Sequence, residues 1–195
     1  DNGLNSNVRA VRKNTSIGKK VLILLLALFV GAAIGFGYRY YHNVSTHTIR
    51  EENFSVELPR SLEKATTIDY AAQSSDGTVK ANGKYADVNS DFQYMILDYS
   101  SLAGETTDIL TEKLFVTYMK GNLKSQFGSS YKEVYADGNK LKMIYRAKTG
   151  DEVYNYAICK KSGYKYYWFV FGCKADEKDF YDPKFEKWAS TIHIN

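Results

Sequence analysis

YYWFVFG, residues Tyr166 to Gly172, is aromatic or β-branched at every position but the last. Successive side chains of a strand point to opposite faces, so a strand that is apolar at odd and even positions alike needs protein packed on each side. The stretch lies inside the candidate strand Lys165 to Lys174, which therefore reads as the central strand of a sheet covered on both faces.

Upstream, the turn signals Ser162-Gly163, Thr149-Gly150-Asp151 and Asp137-Gly138 separate three further strand candidates: Glu152 to Lys160, Lys140 to Lys148 and Tyr131 to Ala136. In Lys140 to Lys148, Leu141, Met143 and Tyr145 alternate with Lys140, Lys142 and Arg146, the pattern of one buried and one wet face. If Ser162-Gly163 is a two-residue turn, Tyr156 faces Phe169 and Tyr154 faces Phe171, cross-strand aromatic pairs suited to cover by a helix. The same register sets Cys159 opposite Tyr166, with Cys173 seven residues further along and on the other face. That separation is roughly 23 Å at strand rise, against about 5.5 Å between the Cα atoms of a disulfide, so two unpaired, buried cysteines are expected.

Before this meander, Thr106 to Phe127 has helical spacing: Leu114, Phe115, Tyr118, Met119, Leu123 and Phe127 on one side, Lys113, Thr117, Lys120 and Lys124 on the other. Thr106 or Asp108 is placed to cap it and Gly128 to end it. Earlier still, Phe54, Val56 and Leu58 alternate with polar residues in FSVELP, residues Phe54 to Pro59, as in a half-buried strand stopped by proline. Ser75-Asp76-Gly77, Asn82-Gly83 and Asn89-Ser90-Asp91 read as turns of a first β-meander whose best strand is Phe92 to Ser100. The chain closes on a helix begun at Asp182-Pro183 that aims Phe185, Trp188, Ala189 and Ile192 one way.

The sum is an α+β fold: an antiparallel-sheet domain with a long central helix and a C-terminal helix. The opening FSVELP, the helix ahead of a run of hairpins, and the closing FEKWASTIHI (Phe185 to Ile194) together resemble the PsbP/Mog1-like α-β-α sandwich family over Asn53 to Asn195. The resemblance implies a fold and a binding role more than a reaction, and no functional residue of the family maps onto this chain.

Outside that domain, VLILLLALFVGAAIGFGY (Val21 to Tyr38) carries no charge and has no polar face. At about 1.5 Å per residue it is roughly 27 Å long, close to the ~30 Å hydrocarbon core of a bilayer. Arg9, Arg12, Lys13, Lys19 and Lys20 precede it against Asp1 alone, five charges against one, which is the whole formal net charge of +4. Cationic flanks stay inside, so the expected organisation is a basic cytoplasmic tail (1–20), a transmembrane helix (21–38), a tether (39–52) and an extracytoplasmic α+β domain (53–195). A signal peptide cut near Gly31-Ala32-Ala33 fits less well than an uncleaved anchor, because the apolar run continues past that site. Ala27, Gly31 and Gly35 recur every four positions and offer a packing face for a second span, including one from another copy of the chain. Tyr38, Tyr40 and Tyr41 suit the outer headgroup level. With the basic residues spent there, no basic stripe remains for nucleic acid.

The domain lacks a recognisable reaction centre in sequence. His42 and His47 fall in the tether and His193 is three residues from the end, without a nucleophile motif or zinc spacing around them. Asp176, Glu177, Asp179 and Asp182 lack the glycine and spaced carboxylates of a calcium loop, and their charge suits a helix N-terminus. No cofactor is expected. Tyr164, Tyr166, Tyr167 and Trp168 crowd the last hairpin: packed under a helix they are core, and left open they form a flat aromatic binding surface. The leading expectation is thus a single-pass membrane protein whose partners are the lipid bilayer and another membrane or envelope protein. Its rivals are a cell-surface hydrolase using an acidic residue such as Asp98 or Asp151, and a structural subunit of a membrane complex. Richness in Lys, Asn and Tyr is compatible with a low-GC Gram-positive bacterium.

Overall fold

The computed structural model describes residues 45–65, 78–100 and 110–195. The apolar run 21–38, its packing residues Ala27, Gly31 and Gly35, the basic tail, His42, the turn Ser75-Asp76-Gly77 and the proposed caps Thr106 and Asp108 lie outside them. Among the described residues no helix is long and apolar enough to cross a membrane.

Among the described residues, ten strands and two α-helices build the domain. In chain order they are β1 (Thr46–Arg50), β2 (Phe54–Pro59), β3 (Glu63–Ala65), β4 (Thr78–Ala86), β5 (Ser90–Asp98), α1 (Glu112–Phe127), β6 (Lys132–Asp137), β7 (Lys140–Arg146), β8 (Glu152–Ser162), β9 (Lys165–Lys174), α2 (Lys178–Ser190) and β10 (His193–Ile194). Seven strands form one antiparallel sheet, ordered β3-β4-β5-β9-β8-β7-β6, and β1-β2-β10 form a second, small sheet. β9 lies in the middle of the large sheet, as YYWFVFG requires.

Alternation along β9 sorts its side chains onto two cores. Tyr166, Trp168 and Val170 pack with Phe115, Met119 and Leu123 of α1. Tyr167, Phe169 and Phe171 pack with Phe54, Val56 and Leu58 of β2 and with Phe185 and Trp188 of α2. The opening strand and the terminal helix therefore cover one face while α1 covers the other. The last residues return to a short strand, with His193 opposite Ser55 and Ile194 opposite Phe54.

Several local expectations are corrected. The tether contains β1, which pairs with β2 from Thr46 opposite Pro59 to Arg50 opposite Ser55, so the folded unit starts at Thr46. Its alternation was illegible because Ile49 is its one buried apolar residue. Asn82-Gly83 is no turn but the middle of β4, where Gly83 lies opposite Tyr94 and a Cβ would stand 2.5 Å from that ring. The turn after β4 begins at Asp87, whose Oδ1 accepts from the Asn89 and Ser90 N–H groups at 2.8 and 2.7 Å. The β8–β9 turn falls at Gly163 and Tyr164, with Ser162 opposite Lys165, so Cys159 pairs with Trp168, Tyr156 with Phe171 and Tyr154 with Cys173. A slip of two preserves faces: the cysteines are still on opposite sides, both free and buried.

The helices also shift. α1 is capped by Thr111, whose hydroxyl accepts from Leu114 N–H at 3.2 Å, and Val116 takes a buried place while Leu114 and Tyr118 stay exposed. α2 starts at Lys178, so Pro183 sits inside it rather than at its first position.

Candidate binding corner

One corner of the α1 face departs from its apolar surroundings. Gly172 on β9 stands between Asp91 on β5 and Asn155 on β8, and one step outward Lys84 on β4 pairs with Gln93. A Cβ at Gly172 would run into the carboxylate of Asp91 and lie 2.9 Å from Asn155 Oδ1, so glycine is what lets these polar ends converge. Lys84 Nζ is 3.2 Å from Asp91 Oδ2, and Gln93 Nε2 donates to the same oxygen at 3.2 Å. Asn155 Nδ2 donates to Tyr145 Oη at 2.9 Å.

Gln93 and Asn155 are 8% and 3% exposed, and Gln93 Oε1 is buried without a hydrogen-bond partner. A buried acceptor in that state costs of order 1–3 kcal/mol. Beside it an open cleft of about 210 Å³ is lined by Lys84, Ser90, Asp91, Val153, Gly172 and Lys174. Lys84, Lys174, Asp87 and Asp91 all line it, so it suits a polar partner carrying donors and acceptors together.

Its chemistry favours holding over reacting. Cys173 also lines the cleft, but burial, and then the charges of Glu177 and Asp91, push its thiol up to about 12, so it stays protonated at neutral pH. Burial pushes the Cys159 thiol up as well, on the other face. The carboxylates named for hydrolysis are not brought together: Asp98 ends β5 and accepts from Ser100 N–H at 2.8 Å, while Asp151, in the turn before β8, accepts from Thr149 at 3.0 Å. Asp176, Glu177, Asp179 and Asp182, at and before the start of the terminal helix, form no such group either, since no group of metal ligands occurs among the described residues. Asp182 is engaged by the Tyr154 hydroxyl at 2.5 Å and Lys142 at 2.9 Å. Although burial opposes it, those two donors hold its carboxyl below the usual range. His47 and His193 lie on the small sheet.

The aromatic surface is corrected too. Tyr166 and Trp168 are buried under α1, and Tyr167 is buried on the opposite face, leaving Tyr164 in the turn 41% exposed. Tyr166 stacks on Phe115 at 5.0 Å and donates to Leu110 O at 2.6 Å, which explains its burial. Of the corner residues, sequence reading named Asp91, as part of a turn, and Gly172, as the end of the aromatic run. The available signals were that glycine ending an aromatic run and Asn155 between Tyr154 and Tyr156.

No family model and no curated protein matches the chain. Among solved structures it is similar to cyanobacterial PsbP (CyanoP) from Synechocystis sp. PCC 6803, at 14% identity and TM-score 0.46, over 77% of this chain and 93% of that one. It is also similar to the Ran-binding protein Mog1p of Saccharomyces cerevisiae, at 8% identity and TM-score 0.47, over 77% of this chain and 95% of that one. Both carry the names of the family that the sequence resembles; likenesses this distant say nothing of function.

Proposed function

We propose that this chain is a single-pass membrane protein of the cell envelope whose outer domain binds another membrane or envelope protein without catalysing a reaction. The observation that carries the binding role is the polar corner: an open cleft lined by Lys84, Asp91 and Gly172, where Asp91 also accepts from the buried Gln93. The anchoring and the orientation rest on the uncharged run 21–38 and its basic flank. A packing face at Ala27, Gly31 and Gly35 would add a second contact within the bilayer, to a partner span or to another copy of the chain.

A photo-crosslinking residue at Asn89, on the rim of the cleft, tests this in the full chain in cells, with Lys124 on the wet face of α1 as control. The expected result is an adduct with one envelope protein from position 89 only, lost when Asn155→Ala alters the corner. Equal adducts from both positions, or one indifferent to Asn155→Ala, would sink the binding role. Protease added to intact cells should digest the domain, and protection until the cells are opened would reverse the orientation.

A further inference from the structure

Two contacts carry the chain's entry into the domain to one end of the large sheet. Thr46, the first residue of β1, pairs with Pro59. Two residues on, the Ser61 hydroxyl donates to Asp87 Oδ2 at 2.7 Å, and Asp87 opens the β4–β5 turn. β9 leaves the sheet at the same end, since Ser90 lies opposite Cys173, and passes into α2. Two large apolar side chains stand out here: Val88 at the tip of the turn, 92% exposed, and Phe180 in the first turn of α2, 61% exposed. Tyr181, next to Phe180, is buried and reaches the Ser90 side chain, which ties the start of α2 to the β4–β5 turn.

Scattered apolar residues are ordinary on a protein surface. What distinguishes this pair is its position relative to the entry. Only residues 39–45 separate the apolar run from Thr46, and seven residues reach at most about 25 Å fully extended. An anchor in the bilayer would therefore hold this end, rather than the Tyr164 end, close to the lipid.

We infer that this end of the domain docks on the lipid bilayer, with Val88 and Phe180 seated in the interfacial zone; the inference rests on reading 21–38 as the anchor. Lys184 suits that setting, because its ammonium stands over the Phe180 ring at 3.4 Å from the centroid and can reach a lipid phosphate while its stem stays with the apolar layer. Around Phe180, Lys174, Lys178 and Lys184 balance Asp176, Glu177 and Asp179, so docking depends on the apolar side chains and not on anionic lipid. The cleft beside Gly172 opens at the same end, at headgroup level, where it meets the juxtamembrane part of a membrane protein.

The test uses the full chain reconstituted in phosphatidylcholine vesicles, with an environment-sensitive dye on Val88→Cys, Phe180→Cys or Tyr164→Cys, one at a time. The native cysteines are buried and leave the dye to the introduced thiol. The expected result is flotation of all three with the vesicles, a blue-shifted dye at 88 and 180 quenched several-fold more by brominated lipid than the dye at 164, and no change when phosphatidylglycerol is added. Flotation with dyes at 88 and 180 as wet as at 164 would overturn the docking and leave the anchor standing. Failure to float would remove the anchor and the docking with it. Quenching that appears only with phosphatidylglycerol would overturn the apolar mode proposed here.

Discussion

The two faces of the large sheet are built by the same strands yet solve burial differently. One is closed by α2 and the small sheet over a continuous aromatic cluster, in which Phe54 meets Phe169 edge-on at 4.9 Å, Phe92 stacks on Phe169 at 6.1 Å and Phe171 stacks on Phe185 at 5.7 Å. Among the described residues, the other has α1 alone over a core of Met95, Leu141, Met143 and Trp168, and beyond it lies the polar corner of Asp91, Gln93 and Asn155. A sixteen-residue helix is about 24 Å long and about 10 Å across, too little to cover a seven-stranded sheet. Among the described residues, polar side chains gather beyond α1, and the difference teaches that the binding corner lies where this helix does not reach.

Truncating the shared central strand breaks the comparison most severely. Trp168→Ala removes the largest fully buried side chain of the α1 face and should cost about 3–5 kcal/mol in urea unfolding of the full chain in mild detergent. Phe171→Ala should cost as much on the α2 face; a loss below about 1 kcal/mol in either would show that face to be loosely packed.

Tyr154→Phe tests the tie between α2 and its face, removing the hydroxyl that donates to Asp182, with an expected loss of about 1.5–3 kcal/mol. The same tie sets an acid limit. The folded carboxyls of Asp182 and of Glu51, which Tyr85 and Lys64 hold down against burial by hydrogen bonds at 2.5 and 3.1 Å, lie below their ordinary values, so their contribution is complete above the unfolded pKa, about 4, and is lost as pH falls through the folded value. The urea midpoint should hold from neutrality to about pH 5 and decline below about 4, less steeply in Asp182→Asn. An unchanged slope in that variant would remove Asp182 from the account.

Gly172→Ala sharpens the contrast at the corner. The new methyl displaces Asp91 and Asn155, so partner crosslinking at Asn89 should fall strongly while stability drops by only about 1–2 kcal/mol. Smallest is Thr111→Ala, which deletes the cap of α1 for about 1 kcal/mol and should leave crosslinking alone.

Much of the fold was legible because single positions carried strong local constraints. FSVELP announces β2 through alternation and a stopping proline, and the aromatic density of Tyr166 to Phe171 announces β9 as central. Where several conformations satisfied the same residues, reading failed. Asn82-Gly83 is a good turn dipeptide by itself, and only the Tyr94 ring opposite makes that glycine a strand residue. Pro183 suits a helix start, yet packing of Tyr181 and Phe185 on the sheet begins the helix five residues earlier, at Lys178. The corner was the least legible part, since its members come from β4, β5, β8 and β9 and carry no spacing in the chain.

Taken alone, the amino-acid sequence determined β2, the hairpins after the first helix, the presence of both helices and that the central strand must be covered twice, because alternation and side-chain type act over a few neighbouring residues. It also set the uncharged run at 21–38 and the concentration of positive charge before it. Only the tertiary structure decided the β8–β9 register, the rotation of α1 that exposes Leu114 and buries Val116, and the meeting of Lys84, Asp91, Gln93 and Asn155 around a glycine. Those depend on which surfaces are left after the layers have packed, a property of the assembled sheet and of no local stretch.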